Sequence, residues 1–284
     1  MPTSCDTNTD FFKERGFAMR GNASSFVGDI PEHYDKGLGP VLFHHYGDDI
    51  AKRVVDTKAS SVLELAAGTG IVTRKLRDAL TESISLLATD LNQPMLDISA
   101  GKFEQHENIG FQTADAMELP FTTNSYDAII CQFGVMFFPD KERSYHETRR
   151  VLRDGGSYIF SVWGSWAANP FAKLTHETIA AFFDGQAPTF YEVPFGYDDV
   201  DSITTSLLAA GFANVKAERL SHTAAIKDIP AFAKALIFGN PIADEIRGLG
   251  GNPDDAVNKV EAAIIGEFGT TQSMPLEAVV FTAS

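Results

Sequence analysis

Short apolar runs alternate with longer amphipathic segments along the middle of the chain. The apolar runs are rich in Val, Ile, Leu and Phe and have the length of single strands, whereas the amphipathic segments have helical spacing. This alternation predicts an α/β protein with a largely parallel sheet. The strands predicted here are Ser61–Leu65, Ile84–Thr89, Gly110–Thr113, Tyr126–Cys131 and Ser157–Val162.

Turn and cap residues mark where the intervening helices begin and end. A helical pattern covers Ile71–Leu80, and Pro94 opens another helix because proline suits a first helical turn. Asp140 is the predicted N-cap of a helix that continues to Leu152. The glycines of Asp154-Gly155-Gly156 are expected to stop that helix before the next strand.

The alternation breaks twice in the second half of the chain. Residues 165–199 contain a helical stretch and then an irregular segment with prolines, and residues 229–268 form a helical stretch interrupted by Gly-Asn-Pro motifs. Strand and helix patterns continue between and after these two inserts, so the prediction is seven strands around one core. The later elements are helices at Pro170–Phe183 and Asp201–Ala210 and strands at Asn214–Leu220 and Ala278–Phe281.

A glycine-rich turn joins the first predicted strand to the helix behind it. It reads Ala66-Ala67-Gly68-Thr69-Gly70, and the free N–H groups of the following helix make such a turn a general nucleotide cradle. A dinucleotide fingerprint registered on Gly68 and Gly70 would need glycine where the chain has Thr73. The strand also carries Glu64, which would repel a pyrophosphate and suit a cationic head such as an amino acid's ammonium group.

Two further carboxylates follow the next two predicted strands. Asp90 can accept hydrogen bonds from both hydroxyls of a ribose, or it can simply cap a helix. Asp115 can accept from an adenine amino group while the N–H of Ala116 serves a ring nitrogen, or it can be a plain surface residue. The coincidence of Glu64, Asp90 and Asp115 at three successive strand ends favours one binding site over three unrelated acids.

Five segments occur in order along residues 61–163: V-L-E-L-A-A-G-T-G, A-T-D-L-N-Q-P-M-L, A-D-A-M-E-L-P-F, Y-D-A-I-I-C-Q-F-G-V-M-F-F-P-D and V-L-R-D-G-G. Together they resemble the class I S-adenosylmethionine-dependent methyltransferases, in particular the small-molecule branch with the ubiquinone and menaquinone C-methyltransferases. One departure is Ala66, where the family often has glycine. The resemblance implies a Rossmann-like, mostly parallel sheet in the order 3-2-1-4-5-7-6 with strand 7 antiparallel, and helical lid inserts. It also implies S-adenosyl-L-methionine as cofactor across the carboxyl ends of strands 1 to 4.

The resemblance also assigns roles to matching positions. It implies that Glu64 orients the methionine ammonium and that Asp90 binds the ribose hydroxyls. Asp115 and Ala116 would read the adenine edge. The other implied cofactor contacts are Tyr34, Ala66, Gly68, Gly70, Leu91, Met95, Gln132 and Phe133.

No fixed catalytic base is expected for this chemistry. In-line displacement from a sulfonium depends mostly on alignment, and a base is needed only where the acceptor is protonated at working pH. Tyr34 precedes a helix predicted at about residues 41–56, and the resemblance implies that it folds over the cofactor near the sulfonium. Tyr34 and His176 are the candidates for a catalytic role, with packing as the alternative for both.

The two inserts and their phenylalanines are the predicted lid over the acceptor. An aromatic cover would exclude water and favour an apolar or planar acceptor, unless these rings only pack the insert helices. The phenylalanines are Phe171, Phe182, Phe183, Phe190, Phe195, Phe232 and Phe238. The predicted division is a leader with cap helices (1–60), a cofactor-binding core (61–164), a first lid (165–199), a core helix with strand 6 (200–228), a second lid (229–270) and strand 7 (271–284).

Composition narrows the partners and the compartment. Asp and Glu number 38 against 23 Lys and Arg, and the net charge of −15 disfavours nucleic acid and anionic membranes. No apolar stretch reaches the ~18 residues of a transmembrane helix. Cys5 and Cys131 form neither a disulfide framework nor a zinc pattern with the scattered histidines, so no metal is expected. With no secretory signal, a cytoplasmic location is predicted.

The predicted function is methyl transfer from S-adenosyl-L-methionine to a small, apolar or aromatic acceptor. One alternative is a protein that binds the cofactor without transferring the methyl group. Another is an NAD(P)-dependent oxidoreductase, which Glu64 and the missing third glycine disfavour. The identity of the acceptor, the atom that is methylated (O, N, C or S) and the oligomeric state stay open.

Overall fold

A mixed β-sheet forms the centre of the protein. The computed structural model describes residues 23–183 and 187–284, so Cys5 lies outside the described residues. The strands are β1 (Ser61–Glu64), β2 (Ser85–Asp90), β3 (Ile109–Thr113), β4 (Tyr126–Gln132), β5 (Leu152–Trp163), β6 (Val215–Ala225) and β7 (Ser273–Ala283). Their order is β3-β2-β1-β4-β5-β7-β6, and β7 is antiparallel to both of its neighbours. The predicted fold class and strand order are confirmed.

Helices cover both faces of this sheet. They are α1 (Ile30–His33), α2 (His44–Thr57), α3 (Ile71–Ala79), α4 (Gln93–Ala100), α5 (Lys141–Val151), α6 (Pro170–Ala180), α7 (Val200–Ala209), α8 (Ile229–Phe238), α9 (Ile242–Gly248) and α10 (Pro253–Phe268). A π-helix, Tyr34–Phe43, joins α1 to α2. In the described part of the chain, no helix combines the length and apolarity that a bilayer span requires.

Neighbouring residues of the central strands enter different parts of the core. Val62 of β1 packs in a cluster with Ile50 of α2 and Leu76 of α3, whereas Leu63 joins a larger cluster with Ile129 of β4. All five side chains are fully buried. Because strand side chains alternate between faces, a strand covered on both sides is apolar at every position, which explains the continuous apolar runs of the sequence.

Several predicted boundaries are wrong. The sixth strand continues past Leu220 to Ala225, and the seventh begins at Ser273 and not at Ala278. The strand β5 begins at Leu152, so Asp154-Gly155-Gly156 lies inside the strand and does not end the preceding helix, which stops at Val151. A register shift between the Tyr126 and Ala128 pairings absorbs the extra residues. The helix predicted to reach Phe183 ends at Ala180. Asp140 is confirmed as an N-cap, because its Oδ1 accepts the N–H of Arg143 at 2.9 Å.

The leader differs from the prediction of one helix over residues 41–56. The π-helix Tyr34–Phe43 precedes α2. At its end the backbone N–H of His44 donates to the carbonyl of Gly39, five residues earlier. Extended π-helical stretches are rare, and most π-type turns occur at functional sites. Tyr34 begins this stretch, and its ring stacks on Phe43 at its far end, with centroids 4.9 Å apart.

The glycine loop is held against α4 by a contact that leaves no room for a side chain. Gly70 has φ +81°, and a Cβ there would lie 2.2 Å from the Oγ of Ser99. Gly155 has φ +77°, and a Cβ there would meet nothing within 4 Å. A side chain at Gly155 would therefore cause backbone strain alone, whereas a side chain at Gly70 would cause backbone strain and steric overlap.

Gly70→Ala should destabilise the protein more than Gly155→Ala. The left-handed backbone costs roughly 1–2 kcal/mol at either position, and overpacking against Ser99 adds roughly 1–3 kcal/mol at Gly70 alone. Urea unfolding followed by circular dichroism measures both losses. Equal losses in the two variants would show that Ser99 yields without cost.

Candidate functional site

A cleft opens at the carboxyl ends of β1, β2 and β4. It has about 880 Å³ of empty space when the open solvent at its mouth is included. Most of the residues predicted to contact the cofactor line it. These are Tyr34, Ala66, Gly68, Asp90, Leu91, Met95, Asp115, Ala116, Gln132 and Phe133.

Asp90 is the buried acid of the cleft wall. Its side chain accepts the N–H of Gly68 at 2.9 Å and the N–H of Asn92 at 2.8 Å, so it ties the glycine loop to the end of β2. Burial raises the pKa of the carboxyl, and these backbone hydrogen bonds oppose the shift. The carboxylate also borders the cleft, so its role as a local cap and its exposure to a ligand are compatible.

Glu64 lies behind the glycine loop. It lines a smaller hollow of about 300 Å³, which shares Tyr34, Gly68 and Gln132 with the cleft. The hydroxyl of Thr73 donates to Glu64 Oε2 at 2.6 Å, so the residue that replaces the dinucleotide glycine holds the acid in place. Burial raises the pKa of Glu64 to about 8. A cation entering this hollow would favour the charged carboxylate.

The outer part of the cleft is framed by apolar groups and one more acid. Leu91 is 58% exposed and Met95 is buried with its methyl group toward Gly68. Asp115 Oδ1 accepts the N–H of Met117 at 2.8 Å, which orders the turn after β3. Leu91 and Met95 both line the cleft, and an apolar side chain together with a polarizable thioether suits a planar apolar ring.

The leader closes one side of the cleft. Tyr34 is flanked by Phe43 and by Phe26, whose ring meets it edge-on with centroids 5.8 Å apart. The neighbouring Asp35 accepts from the hydroxyl of Thr69 at 2.6 Å and pairs with Lys102. Because Thr69 belongs to the glycine loop, this pair fastens the leader to that loop. Burial raises the pKa of Tyr34, so its hydroxyl stays protonated.

The end of β4 supplies the floor. Gln132 donates to the carbonyl of Phe43 at 3.3 Å, and its Oε1 is buried without a hydrogen-bond partner. Phe133 has φ +54°, a strained conformation for a residue with a side chain, and its ring stacks on Trp163 with centroids 4.0 Å apart. The stacking fixes the Phe133 ring at the boundary of the cleft.

A second cavity of about 470 Å³ lies beyond that boundary. Both inserts contribute to its wall, together with the leader and the ends of β4 and β5. The pocket has aromatic and aliphatic walls with one amide. The lining residues are Phe26, Tyr34, Leu38, Leu42, Phe43, Phe133, Phe137, Trp163, Phe171, Phe190, Tyr191, Pro194, Phe195, Leu236 and Asn240. We call this cavity the aromatic pocket.

The cleft and the aromatic pocket share four aromatic residues. These are Phe26, Tyr34, Phe133 and Phe137. The two spaces are therefore adjacent at these rings. The cleft is acidic and partly polar, whereas the aromatic pocket is apolar. A molecule in each space would meet its neighbour at these four rings.

Besides Glu64, which lines only the smaller hollow, two predicted site residues line none of these spaces. Gly70 lines neither cavity, because it packs on Ser99. His176 also lines neither cavity. Its Nε2 is 4.0 Å from Glu192 Oε1, and its ring packs on Trp166. The structure therefore gives His176 a packing role and does not bring it near the cleft.

The sequence analysis missed several residues of the aromatic pocket. Trp163 follows the predicted end of the fifth strand directly, so its place at the carboxyl edge of the sheet was readable from the sequence. Tyr191 and Asn240 gave no such signal, because their position depends on how the two inserts pack. Of the phenylalanines predicted for the lid, Phe171, Phe190 and Phe195 line the pocket.

Comparison with known proteins identifies relatives of this chain. Residues 34–183, slightly more than half of the chain, match the profile of the ubiE/COQ5 methyltransferase family. A ubiquinone/menaquinone biosynthesis C-methyltransferase of Hahella chejuensis is 37% identical over 128 residues, which are 44% of this chain and 48% of the relative. The match thus spans about half the length of that relative. A demethylmenaquinone methyltransferase of Clavibacter sepedonicus is 24% identical over 71% of this chain and 86% of its own length.

Solved structures agree in fold. The YcgJ protein of Bacillus subtilis superposes with a TM-score of 0.54 at 15% identity, covering 84% of this chain and 97% of its own. Phosphoethanolamine N-methyltransferase 2 of Haemonchus contortus gives a TM-score of 0.56 at 13% identity, over 91% of this chain and 57% of its own. At such identities the likeness shows the fold alone. The profile match shows more: this chain belongs to the ubiE/COQ5 methyltransferase family.

Proposed function

We propose that this protein transfers a methyl group from S-adenosyl-L-methionine to a small planar molecule of apolar or aromatic character. The observation that carries this proposal is the contact between two spaces of different chemistry. One is an acidic cleft at the strand ends, and the other is the aromatic pocket. Four rings line both spaces, so a molecule bound in one space would approach a molecule bound in the other beside these rings.

The cleft suits the parts of the proposed cofactor in order along its length. Glu64 would bind the ammonium group, because the smaller hollow beside this buried acid leaves space for that group. A cation there would also favour the charged carboxylate. Asp90 would receive the ribose hydroxyls at the end of β2. Leu91 and Met95 would enclose the adenine, with Asp115 at its edge. When bound, this cofactor supplies a methyl group on a positively charged sulfur.

A dinucleotide fits the same cleft poorly. Glu64 and Thr73 form a hydrogen-bonded pair behind the loop, where a pyrophosphate would need free N–H groups and no negative charge. This pair argues against the oxidoreductase alternative.

The aromatic pocket suits the acceptor. Its rings would hold a flat molecule by stacking and exclude water from the transfer. We propose residues 61–164 as the cofactor part and residues 165–199 and 229–270 as the acceptor lid. Several relatives are named for ubiquinone and menaquinone biosynthesis, and quinol rings belong to the planar class that this pocket would take.

Alignment is the main contribution that the chain would make to the transfer step. Phe133 and Tyr34 occupy the boundary, and their ring positions are fixed by stacking on Trp163 and Phe43. Holding two reactants in line can lower a barrier by roughly 7–11 kcal/mol. None of the described residues that line the aromatic pocket is a histidine or an acid, so an acceptor that must lose a proton would do so before it enters the pocket.

Transfer activity can be tested with labelled cofactor. The purified protein should pass a deuterated methyl group from S-adenosylmethionine to planar aromatic components of a metabolite extract, detected by mass spectrometry. Binding of the cofactor without any labelled product would favour the alternative of a binding protein. Heat-denatured protein, incubated in the same way, serves as the control for non-enzymatic transfer.

Asp90→Asn should weaken the binding of S-adenosylhomocysteine about ten- to hundredfold. The amide keeps the shape of the acid but loses charge-assisted hydrogen bonds to the ribose, which contribute roughly 1.5–3 kcal/mol. Calorimetry measures this loss, with Asp97→Asn on the exposed side of α4 as the matched control. An unchanged dissociation constant would mean that Asp90 serves only the loop.

The affinity for S-adenosylhomocysteine should rise between pH 6 and pH 8. In the free protein Glu64 has a pKa of about 8 and is protonated at lower pH. An ammonium group binds the carboxylate, so binding below that pH must release a proton, and affinity changes by at most about tenfold per pH unit. Calorimetry in two buffers of different ionisation enthalpy would detect the proton. The Glu64→Gln variant should bind more weakly with no such slope, and an equal slope in both proteins would contradict the assignment.

A further inference from the structure

The polar side-chain atoms of the aromatic pocket occur in two groups. Tyr34 borders the cleft directly, and Trp163 stacks on Phe133, which borders it as well. Tyr191 and Asn240 line the pocket but not the cleft. They therefore mark a part of the pocket that faces away from the cofactor.

The amide of Asn240 is held in one orientation. Its Nδ2 donates to the carbonyl of Leu236 at 3.1 Å, and the Tyr191 hydroxyl donates to the same carbonyl at 2.8 Å. A carbonyl oxygen has two lone pairs and accepts both donors. Turning the amide over would set two oxygens against each other, so the nitrogen must face Leu236 and the oxygen must face elsewhere.

The Oδ1 of Asn240 accepts no hydrogen bond from the residues that the structure describes. Asn240 is only 6% exposed, and the rest of the pocket wall is aromatic or aliphatic. A donor on a ligand would pair with this oxygen, whereas a ligand without a donor would displace water from it and leave it unpaired. The polar atom is therefore a built recognition point in an otherwise apolar space.

The surrounding segments fix this point in place. Glu245 of α9 accepts the N–H of Thr189 at 2.6 Å and that of Phe190 at 3.3 Å, which joins the first insert to the second beside Tyr191. Tyr191 itself is 3% exposed. A hydrogen-bonding group held by buried neighbours discriminates between ligands better than a mobile one does.

We propose that Asn240 determines acceptor specificity by accepting a hydrogen bond from the acceptor molecule. The acceptor would carry a hydroxyl or N–H group on the ring edge that faces away from the transferred methyl. Planar rings without such a donor, or with the donor capped by a methyl group, would be rejected. This inference rests on the proposed function, because it takes the aromatic pocket to be the acceptor site.

The test compares two probes that differ only in the donor. Equilibrium dialysis of 2-naphthol and 2-methoxynaphthalene against the full chain saturated with S-adenosylhomocysteine gives their dissociation constants. We expect 2-naphthol to bind at least about tenfold more tightly. Its hydroxyl can donate to Asn240 Oδ1, whereas the ether of 2-methoxynaphthalene leaves that oxygen without a donor. This comparison needs no variant. Equal binding of the two probes, or binding of neither, would overturn the proposal.

The Asn240→Leu variant then tests whether Asn240 causes the preference for 2-naphthol. It should bind the two probes within about twofold of each other, since its side chain offers no acceptor. Asn258→Leu makes the same change at an exposed position of α10 and should keep the wild-type preference. A preference that persists in Asn240→Leu would overturn the assignment to this residue. Failure of wild-type protein to bind S-adenosylhomocysteine would instead contradict the proposed function.

Discussion

The order of the sheet places a crevice at the carboxyl end of β1. This strand lies between β2 and β4. The chain continues from β1 to β2 on one side and later returns to β4 on the other side, so the connecting loops diverge at the end of β1. Ligands of open α/β sheets bind at such points. Asp90 at the end of β2, the glycine loop after β1 and Phe133 after β4 meet there because the strands are parallel and in register. The cleft therefore follows from topology, and its chemistry follows from the residues at the strand ends.

The inserts are continuous with the core. Phe171 of the first insert and Phe232 of the second belong to the same hydrophobic cluster as Phe160 of β5. The aromatic pocket is thus a gap within one packed cluster, and its shape depends on the leader, both inserts and the sheet together. Changes in acceptor preference should arise from single residues such as Asn240, since removing a whole insert would expose the core that it covers.

Local sequence signals were enough to predict the sheet and the acids of the cleft. The central strands β1, β2 and β4 are mostly buried and so are largely apolar, and Asp90 directly ends β2. The long β5 was mispredicted, because Gly155 and its neighbours resemble a helix stop while the pairing with β4 decides otherwise. His176 lies outside the cleft and Asn240 was not predicted, for a related reason. Their surroundings are set by residues far away in sequence, and no spacing records which side chain reaches a cavity.

Under the proposed function, the acidic cleft holds the cofactor and the aromatic pocket holds the acceptor. A crystal structure of the protein with S-adenosylhomocysteine and 2-naphthol would show both positions at once. We expect the ribose hydroxyls on Asp90, the sulfur beside Tyr34 and Phe133, and the naphthol ring among the aromatic residues beyond them with its hydroxyl on Asn240. Density for S-adenosylhomocysteine in the aromatic pocket, or for naphthol outside it, would show that these assignments are wrong.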